Sequence, residues 1–206
     1  MTIKGLYAVT DPGLIDDAEL LDQVAAALEG GAAIVQYRHK HALPDLALAQ
    51  ASNLARLCRS QDRLFIVNDD PSLARESGAH GVHIGRDDID LESTRAIVGT
   101  DCLIGVSCYN ELELARAAQQ AGADYVAFGS FYPSGIKPDA VRAELDLLRS
   151  AQRELHLPIV AIGGINADNG AALLEAGADA LAVIHAVFGQ QDVAAAARAL
   201  SALFDS

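Results

Sequence analysis

A fourfold echo constrains the fold more than any other feature. Gly31-Ala32-Ala33 leads into Ile34-Val35-Gln36, and Gly78-Ala79-His80 into Gly81-Val82-His83-Ile84-Gly85. Gly122-Ala123-Asp124 leads into Tyr125-Val126-Ala127-Phe128-Gly129, and Gly177-Ala178-Asp179 into Ala180-Leu181-Ala182-Val183-Ile184. The glycines stand 47, 44 and 55 residues apart. Each follows an Ala/Leu-rich helical stretch, where a left-handed C′ residue belongs. Each feeds a short apolar run of buried-strand type. Four more such runs lie between them: Leu6–Val9, Leu64–Val67, Leu103–Val106 and Ile159–Ile162. Helical stretches fill the gaps at 18–29, 43–60, 71–77, 90–98, 111–121, 140–155, 167–176 and 191–203. Eight strands alternating with eight helices, at about 26 residues per unit, imply parallel pairing and right-handed crossovers. Such units most simply close into a (β/α)8 TIM barrel, an α/β fold expected to occupy 1–206 as a single domain. The rival is a doubly wound open sheet, but no GxGxxG follows the first strand.

Composition narrows the partners. Fifteen basic residues against 28 acidic ones leave a net charge of −13, so nucleic acid and anionic membrane are excluded over most of the surface. A bound phosphate therefore needs a local basic cluster. The three cysteines, Cys58, Cys102 and Cys108, form no close pair and no zinc-type spacing, and read as reduced thiols of a cytoplasmic protein. Met1-Thr2-Ile3-Lys4 runs into a strand-like segment with no signal-peptide pattern, and no apolar run is long enough to span a bilayer. The sequence leaves a monomer and a homo-oligomer both open.

In this fold, chemistry gathers at the C-terminal ends of the strands. Those positions carry Thr10-Asp11, Gln36-Tyr37-Arg38-His39-Lys40, Asn68-Asp69-Asp70, His83 with Gly85-Arg86-Asp87-Asp88, Ser107, the segment Gly129 to Lys137, Gly163-Gly164 and Ile184-His185. Arg38, Lys40 and Lys137 form a cationic set inside an anionic protein. Asp69 and Asp88 are hard oxygen donors on neighbouring strands, and two carboxylates with substrate phosphate oxygens make a typical Mg2+ site. Cations and Mg2+ together point to a diphosphate near strands 2–4. Gly163-Gly164 before a helix points to a monophosphate near strands 7–8.

Each residue also has a plainer role open. Arg38 and Lys40 could be solvated loop charges. Asp69 could cap the helix after Pro71, and Asp88 the helix starting near Asp90. His83 could be a hydrogen-bonded structural histidine, and Gly163-Gly164 a simple turn. Tyr37, Phe131 and Tyr132 could pack. Cys58 and Cys102 read as filler, and Cys108 could line the pocket but has no activating neighbour.

Several segments resemble the thiamine phosphate synthase family in order and spacing. They are Gly5-Leu6-Tyr7-Ala8-Val9-Thr10-Asp11, Gln36-Tyr37-Arg38-His39-Lys40, Val67-Asn68-Asp69, Gly81-Val82-His83-Ile84-Gly85-Arg86-Asp87-Asp88, Gly105-Val106-Ser107, Pro133-Ser134-Gly135-Ile136-Lys137 and Ala161-Ile162-Gly163-Gly164-Ile165. The resemblance implies a barrel enzyme, a transferase that joins hydroxymethylpyrimidine diphosphate to thiazole phosphate and releases diphosphate. By that resemblance Gln36, Arg38, Lys40, Asn68 and Lys137 would bind the pyrimidine diphosphate, with Arg38, Lys40 and Lys137 neutralising the leaving group. Asp69 and Asp88 would hold Mg2+, and Ser107 would meet the pyrimidine. Ser134, Ile136, Gly164, Ile184 and His185 would lie on the thiazole phosphate. The implied reaction is dissociative: diphosphate leaves, a stabilised pyrimidine cation forms, and the thiazole nitrogen attacks. Two positions depart from the family pattern, Ile136 where Thr is usual and His185 where Ser is usual. Two other readings stay open, a thiazole tautomerase-like isomerase and a non-catalytic phosphate-ligand sensor on the same fold.

Overall fold

The expected strands pair in chain order. In a computed structural model describing residues 2–86, 88–133 and 141–205, eight parallel strands close into a barrel. They are β1 (Gly5–Val9), β2 (Ile34–Tyr37), β3 (Leu64–Asn68), β4 (Gly81–Ile84), β5 (Leu103–Tyr109), β6 (Tyr125–Phe128), β7 (Ile159–Ile162) and β8 (Ala180–Val183). Closure comes from β1 lying beside β8, with Tyr7 opposite Ala182. Between and after the strands run α1 (Leu20–Glu29), α2 (Pro44–Ser60), α3 (Pro71–Ser77), α4 (Leu91–Val98), α5 (Leu112–Gln120), α6 (Leu145–Glu154), α7 (Gly170–Glu175), α8 (His185–Phe188) and α9 (Val193–Ser201). No described helix is long and apolar enough to cross a membrane.

Strand alternation splits the apolar residues into two cores. Leu6, Ala8, Val35, Phe65, Val67, Val126 and Phe128 face outward and pack under the helices. Tyr7, Val9, Ile34, Leu64, Ile66, Tyr125, Ala127, Val160 and Ala182 fill the barrel interior. The period of two decides this, because successive side chains leave a strand on opposite faces. It also carries Gln36, Asn68, His83 and Ser107 inward, in phase with those interior residues.

The fourfold repeat builds the barrel's N-terminal end. Gly31, Gly78, Gly122 and Gly177 have φ of +100°, +72°, +89° and +111°, a region that side-chain-bearing residues resist. Each turns the chain from a helix end into the next strand. The third repeat residue then hooks the preceding strand. Asp124 Oδ2 accepts from the Ile104 amide at 2.8 Å, and Asp179 Oδ2 from the Ile159 amide at 2.8 Å. In the equivalent place His80 Nδ1 accepts from the Phe65 amide at 3.0 Å.

Three helical expectations differ. The helix expected over 140–155 begins at Leu145. Val141 to Ala143 instead pair with Ser130, whose amide donates to the Val141 carbonyl at 3.2 Å and whose carbonyl accepts from Ala143 at 2.9 Å. Tertiary pairing here overrides helical propensity. The helix expected at 167 begins at Gly170. Its lead-in is a turn in which the Asn166 side chain accepts from the Asp168 amide at 2.9 Å and the Asn169 amide at 3.1 Å. Gly163-Gly164 therefore opens onto five non-helical residues, not directly onto a helix. Finally, α8 is a single four-residue turn that the sequence did not announce.

Candidate active site

Gln36, Arg38, Asn68, His83, Ser107 and Ile184 line one cavity of about 450 Å3 at the C-terminal mouth of the barrel. Its floor is apolar, with Val9, Ala127, Val160 and Ala182 contributing. A second cleft of about 520 Å3 opens beside it between the β2 and β3 ends, sharing Asn68 and adding Lys40 and Asp69.

Charge is concentrated where β1 to β4 end. Arg38 Nη1 lies 3.1 Å from Asp11 Oδ2, and the Arg38 amide donates to Thr10 Oγ1 at 3.0 Å. Both contacts tie the β2 end to the β1 end and hold the guanidinium at the cavity wall. Lys40 Nζ lies 3.2 Å from Asp69 Oδ2. The neighbouring aspartates divide their work. Asp70 caps α3 by accepting from the Leu73 amide at 2.9 Å, so Asp69 is not the cap. Asp69 has φ +64°, an uncommon conformation for a non-glycine residue, of the kind found at binding sites.

A similar division holds after β4. Asp90 caps α4 by accepting from the Ser93 amide at 2.9 Å. Asp88 Oδ2 turns back to accept from the Gly85 amide at 2.6 Å. Burial pushes the Asp88 carboxyl above its ordinary range, and the nearby Asp69 carboxylate pushes it further, while the Gly85 amide and Lys40 oppose. A carboxyl raised by burial and by a neighbouring carboxylate is a place that a bound cation would favour. No group of three or more ligating side chains occurs among the described residues. The Asp69–Asp88 pair alone suits Mg2+, which takes one or two carboxylates and completes its shell with water and phosphate oxygens.

A polar chain crosses the barrel interior below this rim. Gln36 Nε2 donates to Tyr7 Oη at 2.8 Å, and Tyr7 Oη lies 2.9 Å from Tyr125 Oη. Tyr125 Oη lies 3.1 Å from His83 Nδ1, and His83 Nε2 lies 2.8 Å from Ser107 Oγ. Burial holds the His83 imidazolium down to about pKa 4, with Asp88 partly opposing. Although Ser107 and His83 touch, the other imidazole nitrogen meets a phenol where a hydrolase has a carboxylate. So weak a base does not activate a serine. Cys108 is no nucleophile either, because burial pushes its thiol up to about 12.

The site residues expected from sequence fall into three groups. Gln36, Arg38, Asn68, Ser107 and Ile184 share the mouth, with Lys40, Asp69 and Asp88 at its β2–β4 edge. Gly164 and His185 are not among the described residues that line either cavity, though their neighbours Gly163 and Ile184 are. A Cβ on Gly164 would meet the Pro133 carbonyl oxygen at 2.4 Å, and the exposed His185 ring lies against Gly189. Ser134, Ile136 and Lys137 lie outside the described residues. Sequence reasoning assigned no role to Asp11, Tyr7 or Tyr125. It also missed the mouth-wall group in which the Arg86 guanidinium sits 4.7 Å from the Tyr109 ring centre and 2.5 Å from Glu111. The inward phase of Tyr7 and Tyr125 was readable. Their meeting across 118 residues was not.

A family model described as thiamine monophosphate synthase matches residues 6–187. The chain belongs to the thiamine monophosphate synthase family. Among members, the thiamine-phosphate synthase of Chromobacterium violaceum is 54% identical over 202 residues, covering 98% of this chain and 97% of that protein. The one from Alcanivorax borkumensis is 50% identical over 207 residues, covering 99% and 95%. The solved thiamine phosphate pyrophosphorylase from Pyrococcus furiosus is 37% identical and superposes with a TM-score of 0.90 over 98% of this chain and 95% of that one. The likeness to that solved structure spans the whole barrel.

Proposed function

We propose that the protein, as one barrel domain over 1–206, joins hydroxymethylpyrimidine diphosphate to thiazole phosphate, giving thiamine phosphate and diphosphate. It is a transferase acting on small molecules. The observation that carries this reading is the alternation of cations and carboxylates on one edge of the mouth. Arg38 against Asp11 and Lys40 against Asp69 stand beside Asp88 at the ends of β1 to β4.

The reaction needs charge control more than acid–base chemistry. Arg38 forks onto phosphate oxygens, and Asp11 anchors one end of its guanidinium through a single hydrogen bond. Lys40 supplies a second charge, and Lys137 a third. Asp69 and Asp88 would hold Mg2+, which when bound supplies positive charge to the leaving diphosphate. Asn68, Gln36 and Ser107 orient the pyrimidine. The apolar floor of Val9, Ala127, Val160 and Ala182 keeps water from the pyrimidine cation, favouring attack by the thiazole nitrogen over hydrolysis. The mouth needs no protein nucleophile, in keeping with the weak His83 base. By the family resemblance Ser134, Ile136, Gly164, Ile184 and His185 belong to the thiazole phosphate side, and Ile184 lines the cavity there, while the binding at 164 and 185 falls to backbone amides and not to the His185 ring. The free thiols Cys58, Cys102 and Cys108 support a reducing, cytoplasmic setting.

The test is product formation from both substrates with Mg2+. Equimolar thiamine phosphate and diphosphate, abolished by a chelator and restored by Mg2+, is expected. Isomerisation of a thiazole alone would make it a tautomerase-like isomerase. Binding of both ligands without turnover would make it a phosphate sensor.

A further inference from the structure

The interior chain has a direction, and that direction reaches the ligand. Gln36 contacts Tyr7 through its amide nitrogen, which donates and cannot accept. The single Tyr7 hydroxyl proton therefore goes to its other partner, Tyr125, at 2.9 Å. Tyr125 has accepted from Tyr7, so its own proton goes to His83 Nδ1 at 3.1 Å. Neutral His83 then carries its proton on Nε2 and donates to Ser107 Oγ at 2.8 Å. Ser107 has accepted on its inner side and keeps its own proton for the cavity it lines.

We propose that Tyr7, Tyr125 and His83 are positioning residues, a one-way hydrogen-bond chain from Gln36 that makes the Ser107 hydroxyl a donor to an acceptor atom of the bound ligand. Reversing Gln36 so that its oxygen faced Tyr7 would reverse every bond and turn Ser107 into an acceptor. The chain is thus a polarity selector for the mouth. That the acceptor is a ring nitrogen of an aminopyrimidine rests on the proposed function, whereas the direction of the chain does not.

Three features hold the chain in place. Both phenols are buried among apolar side chains, and among the described residues their hydroxyls meet only Gln36, each other and His83. Burial raises the pKa of Tyr7 and Tyr125, so both keep their protons, and the buried His83 ring meets a phenol on one nitrogen and a hydroxyl on the other, with no carboxylate in contact. The Tyr125 ring occupies the space a side chain at position 105 would need, because a Cβ on Gly105 would stand 2.0 Å from Tyr125 Cζ. Gly105 is the register partner of both His83 and Tyr125, and its bareness lets the two rings stack at 5.5 Å.

The decisive experiment is the imidazole nitrogen-15 spectrum of ligand-free wild-type protein. The expected result is one His83 tautomer, protonated at Nε2 and bare at Nδ1. A proton on Nδ1 would overturn the proposal. Kinetics supply the second reading. Tyr125→Phe should mix the tautomers and raise KM for the pyrimidine diphosphate about 3–10-fold, the worth of one neutral hydrogen bond. KM for the thiazole phosphate should stay unchanged. In a Ser107→Ala background the same substitution should add less than about twofold, because the donor it orients is gone. An equal cost in both backgrounds would make Tyr125 a packing residue and overturn the proposal. The wild-type spectrum needs neither turnover nor a variant, so it reads the chain even if no thiamine phosphate forms.

Discussion

At the N-terminal end of the barrel, Asp124 and Asp179 each give an oxygen to a backbone amide at the start of a strand, and Arg95 lies 2.6 Å from Asp124. At the C-terminal end, Asp69 and Asp88 face each other across one lysine, and the carboxyl of Asp88 is driven up by burial and by Asp69. The residue type is the same, but the accounting of partners is not. The lower aspartates are matched by backbone amides that the fold always presents. Among the described residues the upper pair meets one lysine, and the proposed Mg2+ would complete it. A polar group's role follows from where its remaining valence points, not from its identity.

The largest effect should come from exchanging the two ends in paired variants. Asp69→Asn keeps the tolerance for left-handed backbone and removes only the charge. It should lower kcat/KM about 10²–10³-fold, as expected when leaving-group charge goes uncompensated, with little change in Tm. Asp179→Ala should do the reverse. Leaving the Ile159 amide unpaired costs about 1–3 kcal/mol, a Tm drop of about 2–12 °C at unchanged kcat/KM per folded molecule. Steady-state kinetics and thermal melts on both variants check this. Similar Tm losses in both would erase the distinction.

Much of this contrast was legible in advance. The Gly-Ala repeat announced the lower end because a left-handed residue between helix and strand has few substitutes, and parity along the strands put Gln36, Asn68 and Ser107 in the mouth. Other parts were not legible, for physical reasons. Whether Asp69 or Asp70 caps α3 depends on one φ angle, which a sequence of two aspartates does not reveal. A one-turn helix such as α8 is too short to show a period. The Arg38–Asp11 and Tyr7–Tyr125 contacts join different strands, and only the closed barrel makes them neighbours.

The histidines sharpen the comparison through pH. Burial lowers His83 to about 4, against about 6.5 in an unfolded chain. Between those values the unfolded chain binds a proton that the folded one refuses. Stability from this group is therefore present above pH 6.5 and lost as pH falls toward 4, by up to about 3 kcal/mol. Urea unfolding at pH 7 and pH 4.5 should show His83→Asn losing about 2–3 kcal/mol less than wild type over that interval. His80 at the lower end is shifted in the same direction, also by burial, and contributes to both proteins alike. Equal losses in the two proteins would mean that His83 is not held neutral.

The smallest effect should come from His185, whose exposed ring rests on Gly189 and which is not among the described residues that line either cavity. His185→Ser should change KM for the thiazole phosphate by less than about threefold, within the usual range for a surface position. A tenfold change or more would bring this side chain into the binding set.

The central claim is that a metal and the leaving diphosphate assemble on Asp69 and Asp88. Spin resonance of Mn2+, standing in for Mg2+, reads it without turnover. In wild-type protein, inorganic diphosphate should tighten Mn2+ binding. In Asp69→Asn and in Asp88→Asn, that tightening should weaken by at least about tenfold, the loss of one of two charged ligands. Diphosphate-dependent Mn2+ binding of wild-type strength in both variants would place the metal elsewhere and contradict the account.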